Sequence, residues 1–252
     1  MQDLKLAVLI DADNISPKYV KVILDEAASF GVAACKRIYG DWSDARLKSW
    51  KDVLLNNSII PIQQYSYTTG KNATDSAMII DAMDILYSGN CDGFVLVSSD
   101  SDFTRLATRL REAGMKVYGM GEKKTPKPFI VACDKFVYIE SLKAAEAAVP
   151  AAKPSRKKAA AHAEPETEAE NKPLTVQELI AQSVEDLADE DGYAYLGDVG
   201  TLLLKKQPDF DARNYGYSKL SKFIGSLGIF DIDERHNANY QGTQVFLRNK
   251  KS

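Results

Sequence analysis

The sequence predicts an α/β protein with a doubly wound parallel sheet, followed by a linker and a small winged-helix α+β domain. Apolar and helical segments alternate strictly along residues 4–147, which is typical of a parallel sheet with helices on both faces. The strands are continuous apolar runs such as Phe94–Val97, as expected for strands buried on both sides. A change of composition near residue 148 separates this part from the second domain.

Composition limits the class of protein. The chain has 252 residues, of which 45% are hydrophobic and 27% charged, and a net charge of −3. This length exceeds the common size of one domain, roughly 100–200 residues, and favours two domains. The apolar run near the N-terminus is too short for a signal peptide or a membrane span, so we expect a cytoplasmic protein that does not bind membranes. The three cysteines lack the spacing of a disulfide framework or a zinc site.

Local signals give the elements of the first domain. Pro17 at a first helical turn and Gly31 after the last turn bound the first helix. Right-handed crossovers then place the carboxyl ends of an early and a middle strand side by side, so Asp11 and Asp100 are expected to be neighbours. We predict strands at residues 4–10, 33–39, 58–63, 93–97, 116–120 and 136–139, and helices at 17–30, 44–56, 74–87, 103–113, 127–133 and from 141.

The rest of the chain divides into a linker and a second domain. Residues 148–172 are rich in Ala, Pro, Lys and Glu without apolar periodicity, which predicts a disordered linker between domains at 1–147 and 173–250. In the second domain, helical patterns are followed by two short apolar runs separated by a polar turn. We predict helices at 174–187, 197–206 and 217–227 and strands at 229–232 and 244–247, a winged-helix pattern that serves nucleic-acid or protein binding.

Acidic residues follow the strands of the first domain. Asp11 follows the first strand, Asp75 begins a helix, and Asp100 and Asp102 follow the fourth strand. Carboxylates drawn into one cleft repel one another unless a cation lies between them. Hard oxygen ligands select Mg²⁺ or Mn²⁺, and such an ion supports phosphodiester hydrolysis through an activated water. Asn14 and Ser98 are polar candidates beside these acids.

Three segments at these residues resemble the signature segments of the NYN domain, the LabA-like branch of the PIN-like nucleases. They are Ile10-Asp11-Ala12-Asp13-Asn14, Lys71-Asn72-Ala73-Thr74-Asp75 and Val97-Ser98-Ser99-Asp100-Ser101-Asp102-Phe103, within residues 4–145. Family members often have Gly and Val before the middle Asp, where this chain has Ala and Thr.

This resemblance implies a divalent-metal-dependent endoribonuclease that cleaves single-stranded RNA and leaves 5′-phosphate and 3′-hydroxyl ends. It implies that Asp11, Asp75 and Asp100 are the metal ligands and Asp102 a further catalytic acid. Asn14 would aid metal or phosphate binding. Candidate substrate-binding residues beside it are Lys71, Ser98 and Arg105, the last of which shares a helix face with Arg109.

The second domain resembles the OST-HTH or LOTUS module, chiefly through residues 216–224, Gly-Tyr-Ser-Lys-Leu-Ser-Lys-Phe-Ile. That module is a winged helix associated with RNA binding. Lys219 and Lys222 are its candidate RNA contacts. A homodimer and a protein partner of this domain remain open.

Competing interpretations concern the same acids. Asp100 or Asp102 can cap the next helix, since Asp is a favoured N-cap residue; we expect Asp102 to combine capping with an indirect role at the metal. Asp81 is at best an indirect contributor, because it points about 120° away from Asp75. The chain could instead be a non-catalytic RNA-binding adaptor. A haloacid-dehalogenase-type phosphatase with Asp11 as nucleophile is a further alternative.

Overall fold

The first part of the chain forms a six-stranded sheet with the order β3-β2-β1-β4-β5-β6 in a computed structural model that describes residues 3–65, 73–147, 174–236 and 243–250. Neighbouring strands run parallel. The chain begins in the middle of the sheet, moves to one edge and then crosses to the other, which confirms the doubly wound fold. The strands are β1 (Lys5–Asp11), β2 (Val32–Gly40), β3 (Ile60–Gln63), β4 (Gly93–Val97), β5 (Lys116–Gly121) and β6 (Lys135–Tyr138).

Helices connect these strands, and several of them start differently from the prediction. The predicted helix at 44–56 begins as a 3₁₀ helix (Ala45–Trp50), because Asp44 accepts a hydrogen bond from the Arg46 N–H and sets a tight first turn. The helix predicted from Pro17 also begins with a 3₁₀ turn. The helices are α1 (Val20–Phe30), α2 (Lys51–Asn57), α3 (Ala73–Ser88), α4 (Thr104–Glu112), α5 (Lys127–Ala132) and α6 (Ile139–Ala147).

The core lies on both faces of the sheet. Successive side chains of β1 point to opposite faces: Leu6, Val8 and Ile10 pack with α1, and Ala7 and Leu9 pack with α3 and α4. All five are fully buried. Burial on both sides explains why the strands of this sheet read as continuous apolar runs.

The switch point of the sheet lies between β1 and β4. β1 pairs with β2 on one side and β4 on the other, and Ile10 lies opposite Val97. The segments that follow β1 and β4 therefore leave the sheet side by side, at the place where ligands bind in open α/β sheets.

Among its described residues, the C-terminal part contains three α-helices, a 3₁₀ helix (Ala212–Tyr215) and a small antiparallel sheet with the order β7-β9-β8. Thr175 and Glu178 form a capping box at the start of the first of these helices. The two-residue strand β7 was not predicted, and the third helix begins at Leu220 rather than at 217. The elements are α7 (Val176–Leu187), β7 (Ala194–Tyr195), α8 (Leu196–Lys206), α9 (Leu220–Leu227), β8 (Phe230–His236) and β9 (Thr243–Asn249).

The chain divides into two compact units. The first comprises Met1–Glu146 with Leu204–Tyr217, and the second comprises Ala147–Leu203 with Ser218–Ser252. The predicted linker at 148–172 lies outside the described residues. Within the described part of the chain, no helix has the length and apolar character needed to cross a membrane.

Replacing Leu9 by Ala is expected to lower the free energy of unfolding by about 2–5 kcal/mol, because it leaves a cavity in a core that is closed on all sides. Chemical denaturation measures the change. Leu55→Ala is the matched control, since Leu55 is 72% exposed and its truncation should cost less than about 0.5 kcal/mol. Equal losses for the two variants would contradict the assignment of Leu9 to the core.

Candidate active site

The turn after β4 presents two carboxylates at the carboxyl edge of the sheet. Asp100 Oδ1 accepts a hydrogen bond from the Asp102 N–H at 2.9 Å, which makes Asp100 the N-cap of the 3₁₀ helix Ser101–Phe103. The Asp100 N–H donates to Ser98 Oγ at 3.1 Å. Gly121 packs against this turn, and a Cβ there would lie 2.6 Å from the Ser98 carbonyl oxygen. Asp100 rather than Asp102 thus caps the helix that follows β4, and this hydrogen bond orients the turn.

Three carboxylates meet at this edge. Asp75, in the first turn of α3, and Asp100 and Asp102 each offer a carboxylate oxygen, and these oxygens lie within 4.8 Å of one another. Asp75 and Asp100 are half-buried and Asp102 is exposed. Three hard oxygen donors at this separation suit a small divalent cation such as Mg²⁺ or Mn²⁺ and do not suit zinc, which prefers nitrogen and sulfur ligands.

The charge of Asp75 is destabilised in this setting. Burial raises the pKa of Asp75 to about 6, and repulsion from Asp11, Asp100, Asp102 and Asp13 adds to the effect of burial. A cation between the carboxylates would favour their ionised forms. The raised pKa of Asp75 is therefore consistent with a site that is completed by a positive charge.

Asp11 lies beside this group, and its carboxylate is engaged by hydrogen-bond donors. It ends β1 and is 1% exposed. Ser98 Oγ donates to its Oδ2 at 2.7 Å, as does the Asn14 side-chain amide at 2.7 Å. The backbone N–H groups of Asp13 and Asn14 donate to its Oδ1 at 3.0 and 3.3 Å. Burial raises the pKa of Asp11, and these hydrogen bonds oppose that effect.

The structure thus groups the predicted site residues in a particular way. Among the described residues, the carboxylate cluster contains Asp75, Asp100 and Asp102, while Asp11 lies next to it and holds Ser98 and Asn14. The cluster thus contains two of the predicted metal ligands, Asp75 and Asp100, together with the predicted further acid Asp102. A Ser directly after an apolar strand is the sequence signal for the engagement of Asp11, because its hydroxyl can reach the carboxylate that ends the neighbouring strand.

Two further residues, not predicted as part of the site, hold α3 in place. Arg37 and Tyr39 project from the same face of β2, and both donate hydrogen bonds to the Asp81 carboxylate on α3. Tyr39 is fully buried, and burial together with the bond to Asp81 raises the pKa of its hydroxyl. This contact fixes α3 against the sheet and with it the position of Asp75. The i, i+2 spacing of Arg and Tyr in a strand was the available signal.

The predicted substrate-binding residues of the first unit have different surroundings. Arg105 is exposed on α4 and lies 3.4 Å from Glu112 in an exposed pair, which contributes little stability. Ser98 and Asn14 bind Asp11 in this structure. Lys71 lies outside the described residues.

The second unit contains two pairs of basic residues, and those on the small sheet form ion pairs, Arg235 with Asp233 and Arg248 with Asp231. Lys219 immediately precedes α9 as its N-cap, and Lys222 lies in the first turn of that helix. On the small sheet, the guanidinium groups of Arg235 and Arg248 lie 5.2 and 4.6 Å from the centre of the Tyr193 ring. The Tyr193 ring is thus engaged in cation–π contacts.

Comparison with known proteins agrees with this architecture. A family model of the NYN domain matches residues 5–140, and a model of the OST-HTH/LOTUS domain matches residues 172–241. The chain therefore belongs to the NYN family, a family of PIN-like nucleases, and also carries an OST-HTH domain, a module that binds RNA. The predicted resemblance is confirmed.

Solved structures and curated proteins add little to this. A protein of unknown function from Vibrio parahaemolyticus is 21% identical, with a TM-score of 0.45, over 55% of this chain and 94% of its own. An uncharacterized protein from Nitrosomonas europaea is 30% identical, with a TM-score of 0.29, over 39% of this chain and 94% of its own. A search of curated proteins finds no match.

Asp75→Asn is expected to raise the melting temperature of the metal-free protein at pH 7.5. The pKa of Asp75 is about 6 in the folded state against an ordinary 3.8, so the folded state is destabilised as the pH rises through this interval. Below about pH 3 the carboxyl group is mostly protonated in both states, because both pKa values lie above that pH, and the difference between variant and wild type should shrink towards zero. Thermal unfolding in EDTA at about pH 3 and at pH 7.5 measures the two differences in melting temperature.

Added Mn²⁺ provides the companion test. It should raise the melting temperature of the wild type more than that of Asp75→Asn, because binding to the folded state alone stabilises it. Asp84→Asn, at an exposed position of α3, serves as control and should behave as wild type. A variant that is less stable than wild type at pH 7.5 in EDTA would refute the charge repulsion at Asp75.

Proposed function

We propose that this protein is a divalent-metal-dependent endoribonuclease that cleaves single-stranded RNA. The observation that supports this most directly is the convergence of Asp75, Asp100 and Asp102 at the switch point of the sheet. Membership of a PIN-like nuclease family supports the reaction class, and the OST-HTH domain supports RNA as the substrate. The products would be RNA fragments with 5′-phosphate and 3′-hydroxyl ends.

In this proposal Asp75, Asp100 and Asp102 hold the cation, Mg²⁺ or Mn²⁺. When bound, the ion lowers the pKa of a coordinated water and neutralises charge on the phosphodiester. Asp100 also keeps its turn in shape, because one of its oxygens accepts the Asp102 N–H. Asp11 positions Ser98 and Asn14 and contributes negative potential at the metal site.

Basic residues outside the acidic cluster would bind the RNA. Arg105 is close in sequence to Asp102 and exposed, so its guanidinium can reach a phosphate without burial of the charge. We propose Lys71 for a second phosphate contact from the loop before α3. Lys219 and Lys222 would bind RNA through the C-terminal domain, which we place at residues 173–250 after the nuclease domain at 1–147.

The phosphatase alternative finds no support at Asp11. A nucleophilic carboxylate must expose an oxygen to the substrate, whereas Asp11 is 1% exposed and both of its oxygens accept hydrogen bonds. A non-catalytic adaptor remains an outcome of the cleavage test.

Asp100→Asn is expected to lower the rate of RNA cleavage at least about 100-fold, because a neutral amide replaces a negatively charged ligand of the cation. The amide oxygen can still accept the hydrogen bond that caps the 3₁₀ helix. A pool of single-stranded RNAs with Mn²⁺ or Mg²⁺ is the substrate, and sequencing of the product ends reports the cleavage positions. Circular dichroism checks the fold.

Asp84→Asn is the matched control for that experiment, since it removes a carboxylate from the exposed side of α3 and should leave cleavage unchanged. Cleavage by Asp100→Asn at the wild-type rate would disprove the metal-site assignment. A wild type that binds RNA in EDTA and cleaves no RNA with either metal would identify the protein as an adaptor.

Combined Lys219→Ala and Lys222→Ala substitutions are expected to weaken RNA binding by the full chain and to leave kcat unchanged. Loss of two phosphate contacts should reduce the slope of log affinity against log salt by about 1.4. Fluorescence anisotropy at several salt concentrations measures that slope. Lys5→Ala with Lys116→Ala is the control, because both lysines are exposed at the amino ends of strands. An unchanged slope in the first variant would exclude these lysines as RNA contacts.

A further inference from the structure

A ridge of side chains on α3 begins at the carboxylate cluster. Asp75, Ile79, Met83 and Tyr87 follow one another at intervals of four residues, which places them on one i+4 ridge that turns by about 40° at each step. Ile79 and Met83 are half-buried against the core below them, and Tyr87 at the far end is 74% exposed. Twelve residues of helix correspond to about 18 Å along the axis.

A basic ridge on α4 meets this ridge. Arg105 and Arg109 are four residues apart, and α4 starts directly after the turn that carries Asp102. Arg109 Nη2 donates to Tyr87 Oη at 3.3 Å. The two helices therefore bring an apolar and aromatic ridge together with two guanidinium groups. We call these six residues, Asp75, Ile79, Met83, Tyr87, Arg105 and Arg109, the α3–α4 surface.

We propose that the α3–α4 surface binds the unpaired RNA strand on one side of the scissile phosphate, with a base stacked on Tyr87. This inference rests on the proposed nuclease function and extends it to the path of the strand and its contacts. Arg105 and Arg109 supply positive charge for phosphates, and the exposed ring supplies a stacking surface that accepts any base. A duplex cannot use it, because paired bases are not available for stacking.

Continuity with the carboxylate cluster favours RNA over a protein partner here. The surface starts at residues that would hold the cation and the scissile phosphate, so a strand leaving that phosphate would enter it directly. The exposed acid of α3, Asp84, lies three residues before Tyr87 and about 60° around the helix from it, so the positive charge at this end comes from Arg109, whose guanidinium contacts the Tyr87 hydroxyl. At a stacked rise of about 3.4 Å per nucleotide, 18 Å corresponds to about five nucleotides.

The length of the surface sets the expected dependence on RNA length. Extending the substrate by up to about five nucleotides on one side of the cleavage position should lower KM. Further extension on that side should lower KM no further through contacts with the first unit. Extension on the other side should not depend on Tyr87.

The test is steady-state cleavage of a labelled oligouridylate by the full chain with Mn²⁺. Tyr87→Ala should raise KM about 5- to 100-fold at unchanged kcat, because stacking on the ring is lost. Tyr87→Phe keeps the ring and should remain within about twofold of wild type. Arg109→Ala should raise KM and lower the salt slope by about 0.7. The control Lys5→Ala lies at the amino end of β1, away from the carboxyl ends of the strands, and its KM should match that of wild type.

A second measurement separates this inference from the proposed function. Anisotropy with the same oligouridylate in EDTA reports binding without cleavage, and 4-thiouridine placed at successive positions of that oligouridylate should crosslink to the peptide that contains Tyr87. Weaker binding by Tyr87→Ala together with that crosslink supports the α3–α4 surface even if no RNA is cleaved. Wild-type KM and affinity in both Tyr87→Ala and Arg109→Ala would overturn it while leaving the nuclease proposal intact, and would point to a protein partner at Tyr87.

Discussion

The pairing of β1 with β4 is the constraint on which the candidate active site depends. Both strands are buried on both faces, so packing determines their register, and Ile10 lies opposite Val97. The turns that follow the two strands therefore begin at the same level. The hydrogen bond from Ser98 Oγ to Asp11 joins these turns, and the turn after β4 then presents its carboxylates towards α3.

The negative charges at this edge of the sheet destabilise the folded state to different extents at Asp11 and at Asp75. For Asp11, hydrogen bonds oppose the effect of burial on the pKa, whereas for Asp75 the neighbouring carboxylates add to it. The electrostatic penalty is thus greatest at Asp75, and a cation would relieve it. Asp75 is kept in this position because α3 is anchored elsewhere, through the contacts of Asp81 with Arg37 and Tyr39. Stability supplied by that anchor allows an unfavourable charge arrangement at the site.

Much of the fold and part of the site could be predicted before the structure was known. The six parallel strands follow from apolar runs, and Asp75, Asp100 and Asp102 were all among the predicted catalytic acids. The sequence marks Ser98 as a polar residue at a strand end but does not identify Asp11 as its partner, because those residues are 87 positions apart and the direction of each side chain depends on packing. In the same way, the spacing of Arg37 and Tyr39 shows that they share a face of their strand but does not identify Asp81, 44 positions after Arg37, as their partner.

The sequence by itself determined the properties that are local: alternation of strands and helices, polar residues at strand ends, and the motifs that identify the NYN and OST-HTH domains. Only the tertiary structure decided which carboxylates share a site and that Tyr87 meets Arg109 beside it. The physical reason is that these relations join side chains on different elements. Their distances depend on how the helices pack on the sheet, and periodicity within one segment contains no information about that packing.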